Sequence, residues 1–329
     1  MRTTLSDLLS RKYVLLADGA TGTNYFQAGL GSGDPPEFWN VQRPEEVTGL
    51  HQRFVDAGAD IILTNTFGCN PHRLKLHGAQ DRAYELAKLA AELAGSVADR
   101  AERPVVVAGS VGPTGELFEP VGALTQEAAL ASFGQQMRGL KDGGADVAWI
   151  ETMSAPEEAN AAAEAATRAG LPYVLTYSFD TAGRTMMGLL PRTAADSLRG
   201  QAAPQAVGAN CGVGAPDILV SLLQMHGAPF PLVIKGNCGV PHFEGTEVVY
   251  SGTPELMARY ARLAIDAGAR IIGGCCGTTP EHLAAMRAAI DTHERGPPPT
   301  LEAIVAQIGP MTNMPPSENP GRPARRTRR

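Results

Sequence analysis

Residues 56–64 read DAGADIILT, a glycine-containing segment followed at once by three consecutive apolar residues. A glycine at this position suits the left-handed residue that commonly closes a helix. Ile61, Ile62 and Leu63 are apolar at successive rather than alternate positions, which is typical of a strand buried on both faces of a parallel sheet. The stretch therefore predicts the end of a helix followed directly by a parallel strand.

The same helix stop recurs three times along the chain, as DGGAD at 142–146, RAGLP at 168–172 and DAGAR at 266–270. Each stop is followed by another short apolar run. Repeated units of this kind predict parallel strands joined by helices. The eight candidate strands are Val14–Ala17, Ile61–Thr64, Val105–Ala108, Val147–Ile150, Tyr173–Tyr177, Ala206–Ala209, Leu232–Lys235 and Arg270–Ile272.

Eight strand–helix units favour an α/β protein with a single-domain (β/α)8 barrel. An open doubly wound sheet is the alternative, but the pattern G-x-G-x-x-G of dinucleotide-binding sheets does not follow the first candidate strand. We expect the barrel to occupy residues 1–291. Residues 292–329 are rich in proline and arginine, and we predict a disordered tail there because such a segment cannot build a core.

The composition argues against several classes of protein. A formal net charge of −6 disfavours nucleic acid as a general partner. No run of about 18 uncharged apolar residues is present, so the sequence predicts no membrane span. Five cysteines, an odd number, fit a reducing compartment better than a secreted disulfide framework. Together with the lack of a long apolar run near the first residue, they predict a cytoplasmic protein.

All five cysteines come just after candidate strands, where a (β/α)8 barrel places its catalytic residues. Cys275 and Cys276 are adjacent and flanked by glycines, which would let both sulfurs face one ion. Cys211 follows the sixth candidate strand and could join them across the seventh. Three thiolates and one open position are typical of a catalytic zinc site, which the spacing therefore favours. A redox or structural thiol cluster is the alternative, and composition alone does not select three of the five.

Four motifs carry a resemblance to a known family: DGATGT at 18–23, NTFG at 65–68, GANCGVG at 208–214 and GGCCGTTPEH at 273–282. They resemble the homocysteine S-methyltransferase family over roughly Ser10 to Ala289. The resemblance implies a (β/α)8 barrel with a catalytic zinc held by Cys211, Cys275 and Cys276. Cys69 and Cys238 match no ligand of the family and are interpreted as bystanders.

The resemblance also implies the reaction and its amino-acid site. Zinc would hold the homocysteine sulfur as a thiolate, which attacks a methyl group to give methionine. By their motifs, Asp18 and Glu151 resemble the carboxylates that bind the ammonium of homocysteine. Asn210 is predicted to support the site, and the backbone N–H groups of Gly19 and Ala20 are candidates to bind the substrate carboxylate.

Betaine is the leading methyl donor predicted from the sequence. Its quaternary ammonium calls for aromatic faces, and the candidate rings are Phe38, Trp39, Phe67 and Tyr177, with Phe179 beside the last. The same-family alternative is a homocysteine-methylating subunit of a split methionine synthase, which would receive the methyl group from a cobalamin-carrying protein. The alternative from another class is a zinc or redox protein without turnover.

Overall fold

Eight parallel strands form one sheet that curls into a barrel in the computed structural model, which describes residues 2–198, 202–239, 241–244 and 247–313. Two further strands form a separate antiparallel pair that the sequence did not predict. The strands of the described residues are β1 (Leu15–Leu16), β2 (Ile61–Leu63), β3 (Val106–Val111), β4 (Val147–Met153), β5 (Tyr173–Tyr177), β6 (Ala206–Cys211), β7 (Leu232–Gly236), β8 (Pro241–Glu244), β9 (Glu247–Tyr250) and β10 (Ala269–Gly274).

The two ends of the large sheet meet between β1 and β2. Its strands follow the order β1-β10-β7-β6-β5-β4-β3-β2, and all neighbours are parallel. At the remaining gap Ala17 forms a parallel bridge with Ile61. The N–H of Asp60 donates to the carbonyl of Leu16 at 2.7 Å, and the N–H of Asp18 donates to the carbonyl of Ile61 at 3.0 Å. The predicted (β/α)8 barrel is therefore confirmed, and all eight candidate strands are present.

Helices connect most successive strands of the barrel, and those before β2, β4, β5 and β10 end where the glycine stops predict. Between β5 and β6 the described residues contain only the short 3-10 helices Pro191–Thr193 and Ala195–Ser197. Gly58, Gly144, Gly170 and Gly268 all have positive φ, between 68° and 102°. None of the described helices is long and apolar enough to cross a membrane. The helices are α1 (Leu5–Arg11), α2 (Gly22–Gln27), α3 (Trp39–Gln42), α4 (Pro44–Asp56), α5 (Pro71–Leu74), α6 (Ala83–Arg100), α7 (Gln126–Asp142), α8 (Pro156–Arg168), α9 (Ala215–Gln224), α10 (Pro254–Asp266), α11 (Pro280–Thr292) and α12 (Leu301–Ile308).

The apolar residues of the strands divide between two cores. Alternate residues, such as Leu15, Ile61 and Trp149, form an inner cluster, while their neighbours pack outward against the helices. Helix α1 contributes Leu5 and Leu8 to the inner cluster. It lies where the strands begin, because its neighbour Arg2 bridges Val105 just before β3. One end of the barrel is thus plugged, which leaves the opposite end, where the strands finish, for a site.

Part of the predicted tail is folded, which corrects the expectation of disorder for those residues. Helix α12 packs against α9 and α10, and its apolar side chains Ile304 and Ile308 are buried in this contact. The backbone N–H groups of Thr312 and Asn313 then donate to the carboxylate of Asp217, at 2.9 and 2.6 Å. Residues 314–329, which carry the arginine-rich end, lie outside the described part of the chain, and the domain boundary stays a prediction.

Candidate metal and amino-acid site

Three cysteines meet at the end of the barrel where the strands finish. Cys211 is the last residue of β6, and Cys275 and Cys276 directly follow β10. Strand β7 lies between those two strands in the sheet. Their three sulfur atoms all lie within 4.8 Å of one another, and all three residues are partly exposed. The structure therefore brings together the three cysteines that the sequence selected.

Unusual backbone conformations allow the sulfurs to converge. Cys211 has a φ of +62°, which is rare for a residue other than glycine. On the other side, a Cβ atom on Gly274 would lie 2.3 Å from the side chain of Thr278, so only glycine fits there. Gly277 has a φ of +78° and packs under the ring of Tyr250. These features turn the chain so that adjacent cysteines face the same point.

Two buried asparagines hold this backbone in place. The Nδ2 of Asn237 donates to the carbonyl of Gly212 at 2.8 Å and lies 3.7 Å from the sulfur of Cys211. Its Oδ1 accepts the N–H of Cys276 at 3.0 Å, so it connects both sides of the cluster. Asn210 exchanges hydrogen bonds with Thr152: its Oδ1 accepts the N–H and its Nδ2 donates to the hydroxyl, both at 2.7 Å. Asn210 thereby links the end of β6 to the end of β4.

The three thiols share their protons unequally. Hydrogen bonds from Cys275 and Cys276, together with one from Asn237, lower the pKa of Cys211 to about 3. Hydrogen bonding to Cys211 raises the pKa of Cys275 and raises that of Cys276 to about 11. A zinc–sulfur bond is about 2.3 Å long, so a tetrahedral ion needs sulfurs roughly 3.8 Å apart, a separation that a cluster 4.8 Å across accommodates. The cluster therefore fits a thiophilic metal ion.

Three ionisable side chains, Asp18, Glu151 and Lys235, lie next to the sulfur cluster. Glu151, near the end of β4, accepts a hydrogen bond from the hydroxyl of Ser110 at 2.6 Å. Asp18, just after β1, accepts two hydrogen bonds, one from the ammonium of Lys235 and one from the N–H of Leu63, both at 2.7 Å. Burial raises the pKa of both carboxyl groups, and the ammonium of Lys235 opposes this.

Lys235 is held in its charged form despite its burial. Burial by itself lowers its pKa, but the carboxylates of Asp18 and Glu151 outweigh this effect and raise the pKa overall. Cys275 adds to the increase, and Cys211 in turn acts on Glu151. The sulfur cluster and the three ionisable side chains are thus electrostatically connected parts of one site.

The sequence model of homocysteine S-methyltransferases matches residues 15–290, a span that includes every residue of this site. The chain belongs to the homocysteine S-methyltransferase family. It is accordingly a methyltransferase, as the motifs at residues 18–23 and 273–282 implied.

Known homocysteine S-methyltransferases and their relatives cover most of the chain. It is 31% identical to a methionine synthase of Mycobacterium tuberculosis (strain ATCC 25618 / H37Rv) over 312 residues, and 30% identical to that of Mycobacterium leprae (strain TN) over 321 residues. These matches cover 89% and 92% of the chain but only 26% of each relative, so the chain spans about a quarter of their length. The metallated form of the homocysteine methyltransferase MmuM from Escherichia coli is 27% identical with a TM-score of 0.73, covering 86% of this chain and 99% of that one.

Of the two backbone N–H groups predicted to bind the substrate carboxylate, those of Gly19 and Ala20, one is already hydrogen-bonded within the protein. The N–H of Ala20 already donates to the carbonyl of Thr278 at 3.1 Å, so the prediction that it binds the substrate carboxylate is corrected. Gly19 donates to no partner within the described chain and stays a candidate. A Cβ atom there would lie 2.6 Å from the carbonyl of Thr278, so the close approach requires glycine.

The four rings predicted to hold betaine differ in how far they are exposed. Trp39 is buried against Tyr25, and the guanidinium of Arg43 covers its ring at 4.5 Å from the centroid. Tyr177 is fully buried, with its hydroxyl hydrogen-bonded to Ser197. Neither ring presents an open face here, and the assignment of Trp39 and Tyr177 to the donor stays a prediction. Of the other two, Phe38 is partly buried beneath Arg82, and Phe67 is 37% exposed.

Three residues of this site were missed by the sequence analysis: Ser110, Lys235 and Asn237. Lys235 is the one that a sequence signal could have revealed. It is a charged residue at the end of the otherwise apolar run LVIK, where parallel strands point at the site. Ser110 and Asn237 carry no comparable signal, because serine and asparagine are ordinary residues of strand ends and turns.

Proposed function

We propose that the protein is a zinc-dependent homocysteine S-methyltransferase that forms methionine. The observation that carries the proposal is the convergence of Cys211, Cys275 and Cys276 within 4.8 Å in a chain of this family. The E. coli homocysteine methyltransferase MmuM, which is similar in structure, has a metallated form, and this supports a metal ion in this chain. The three cysteines would hold the ion at the open end of the barrel.

The chain's own residues provide for the rest of homocysteine. A bound zinc would supply a thiolate at neutral pH from a substrate thiol whose pKa is otherwise near 8.5. Asn237 and Asn210 keep the cysteine backbone in the conformation that the cluster needs. Glu151 offers a carboxylate to the substrate ammonium, and the N–H of Gly19, which has no acceptor among the described residues, offers a donor to the substrate carboxylate. Homocysteine would therefore be held at both ends.

The methyl donor is a separate part of the proposal. Betaine was favoured by the sequence, but the burial of Trp39 and Tyr177 leaves these two rings with little surface to offer a donor. The similarity to methionine synthases over 89% and 92% of the chain favours the second candidate, a methyl group delivered by a cobalamin-carrying protein.

A single assay tests both levels of the proposal. Purified zinc-loaded protein is incubated with homocysteine and, in parallel, with betaine, S-methylmethionine or a methylated cobalamin, and methionine is measured. We expect methionine only when homocysteine and one donor are present together. The Cys275→Ser variant serves as the control without the metal site. Failure of every donor, with zinc bound and homocysteine saturating, would favour the zinc or redox protein without turnover.

A further inference from the structure

Lys235 is a buried charged residue of the site to which the proposed reaction gives no role. It is 2% exposed, and its Nζ lies 2.7 Å from Oδ1 of Asp18 and 5.7 Å from the centre of the Trp149 ring. Its stem runs past Gly273 on the neighbouring strand β10. A Cβ atom on that glycine would lie 3.0 Å from Cγ of Lys235 and equally close to Ala17. The small residues on both sides leave space for the lysine and little room for it to move.

The two carboxylates beside Lys235 differ in what they have left to offer. Both oxygens of Asp18 are engaged, Oδ1 by Lys235 and Oδ2 by the N–H of Leu63, and the residue is 1% exposed. Glu151 is 7% exposed, and only its Oε1 accepts a hydrogen bond from the described chain, from Ser110. Its second oxygen has no such partner and Glu151 is the more exposed of the two, so Glu151 is the carboxylate better placed to accept a hydrogen bond from a substrate.

The balance of charge also distinguishes Asp18 from Glu151. When ionised, Asp18 and Glu151 place two negative charges in a buried space that raises the pKa of both carboxyl groups, and such a charge is costly unless it is paired. The ammonium of Lys235 offsets one of them and leaves one. An amino-acid substrate brings one ammonium, which would complete the balance at Glu151.

We propose that Lys235 is a positioning residue: it holds Asp18 as a fixed ion pair, so that Glu151 alone receives the ammonium of homocysteine. Asp18 then acts through Lys235 rather than by touching the substrate. This inference rests on the proposed function, because it assumes that homocysteine binds at the sulfur cluster. It changes the expectation that both carboxylates bind the ammonium.

The test compares homocysteine with 4-mercaptobutanoate, which has the same thiol and carboxylate but no ammonium. Binding of each is titrated in cobalt-substituted protein by the change in the metal spectrum, so no methyl donor is needed. The ratio of the two dissociation constants measures recognition of the ammonium. The variants are Glu151→Gln, Asp18→Asn, Lys235→Met and the double variant Asp18→Asn/Lys235→Met.

We expect Glu151→Gln to lower the selectivity for homocysteine by roughly 10- to 100-fold, the usual value of a hydrogen bond to a charged group. Asp18→Asn frees Lys235 to pair with Glu151, and Lys235→Met leaves a buried carboxylate unpaired, so both single variants should also lose selectivity. The double variant removes both partners together, and its selectivity should return to within about 3-fold of wild type because neither change then leaves an unpaired charge.

Two results would overturn the inference: wild-type selectivity in Glu151→Gln, or a double variant no more selective than Asp18→Asn. If the double variant does not fold, Asp18→Asn/Glu151→Gln replaces it. Its selectivity should equal that of Glu151→Gln alone, and a further loss would show that Asp18 touches the substrate. A cobalt spectrum that does not respond to homocysteine in the wild type contradicts the proposed function instead, so the two failures are distinguishable.

Discussion

The five cysteines divide into two sets that share a place along the barrel and differ in chemistry. Cys211, Cys275 and Cys276 are partly exposed and lie within 4.8 Å of one another. Cys69 and Cys238 also follow strands, but both are completely buried, and burial raises the pKa of Cys238 to about 12. The thiol of Cys69 donates to the carbonyl of Ala83. The end of a strand therefore does not by itself make a cysteine a ligand; the backbone that turns its sulfur toward others does.

Exchanging single cysteines for serine is the most direct way to break this comparison. Cys211→Ser, Cys275→Ser and Cys276→Ser should each lose essentially all bound zinc and activity, because two thiolates do not complete the site. Cys69→Ser and Cys238→Ser are the matched controls and should keep about one zinc per chain. Metal content is measured on the purified reduced proteins. Full retention of zinc by Cys275→Ser would refute the ligand assignment.

Alkylation of the metal-free protein sharpens the same comparison. Cys211 has a pKa of about 3 and should be a thiolate throughout the range from pH 5 to 8. Its rate of labelling by iodoacetamide should therefore stay nearly constant as the pH falls. An ordinary thiol with a pKa near 8.5 loses on the order of 1000-fold in rate over the same range. Cys69 and Cys238 should stay unlabelled in the folded protein.

Mass spectrometry of the labelled peptides at each pH provides the readout, and the denatured protein, in which all five cysteines react, is the control. Labelling of Cys211 that falls in proportion to the ordinary thiol would show that its pKa is not lowered. Labelling of Cys238 at the rate of Cys211 would remove the distinction between the two sets.

The smallest expected effect tests the asparagine that braces the cluster. Asn237→Ala removes the hydrogen bonds to Gly212 and Cys276 but no metal ligand. Because such supporting groups orient the ligands, zinc affinity should fall by about 10- to 100-fold without being lost. Competition with a chelator measures the affinity. Asn160→Ala, which lies away from the cluster on α8, is the control and should match the wild type.

Sequence pattern predicted the fold nearly completely. The four glycine stops have the left-handed conformation that their position implied, and every candidate strand is in the barrel. Such features are local, since they depend on the residue's own conformation and on which faces are apolar. The hairpin β8–β9 and the helix α12 were missed, because neither lies in the strand–helix repeat. Helix α12 depends on packing against α9 and α10, which are distant in sequence.

The site was predicted less evenly. Residue types at strand ends drew attention to the cysteines, and the resemblance to the family then implied which three of them, and which two carboxylates, form the site. The sequence could not show that Trp39 lies under Arg43, or that the N–H of Ala20 is already engaged by Thr278. Both facts concern which atoms lie against a group. Thr278 is distant from Ala20 in the sequence, and Arg43, although close to Trp39, lies over its ring only because of how the side chains are arranged in the fold.

The sequence alone thus determined which residues carry the chemistry, and the tertiary structure decided which of them are free to use it. Asp18 and Glu151 look alike in the sequence, as carboxylates after strands. The closed barrel places Lys235, 217 residues from Asp18, against only one of them. A hydrogen bond acts over about 3 Å, so this partnership depends on the arrangement of strands in space, which residue type and local spacing do not encode.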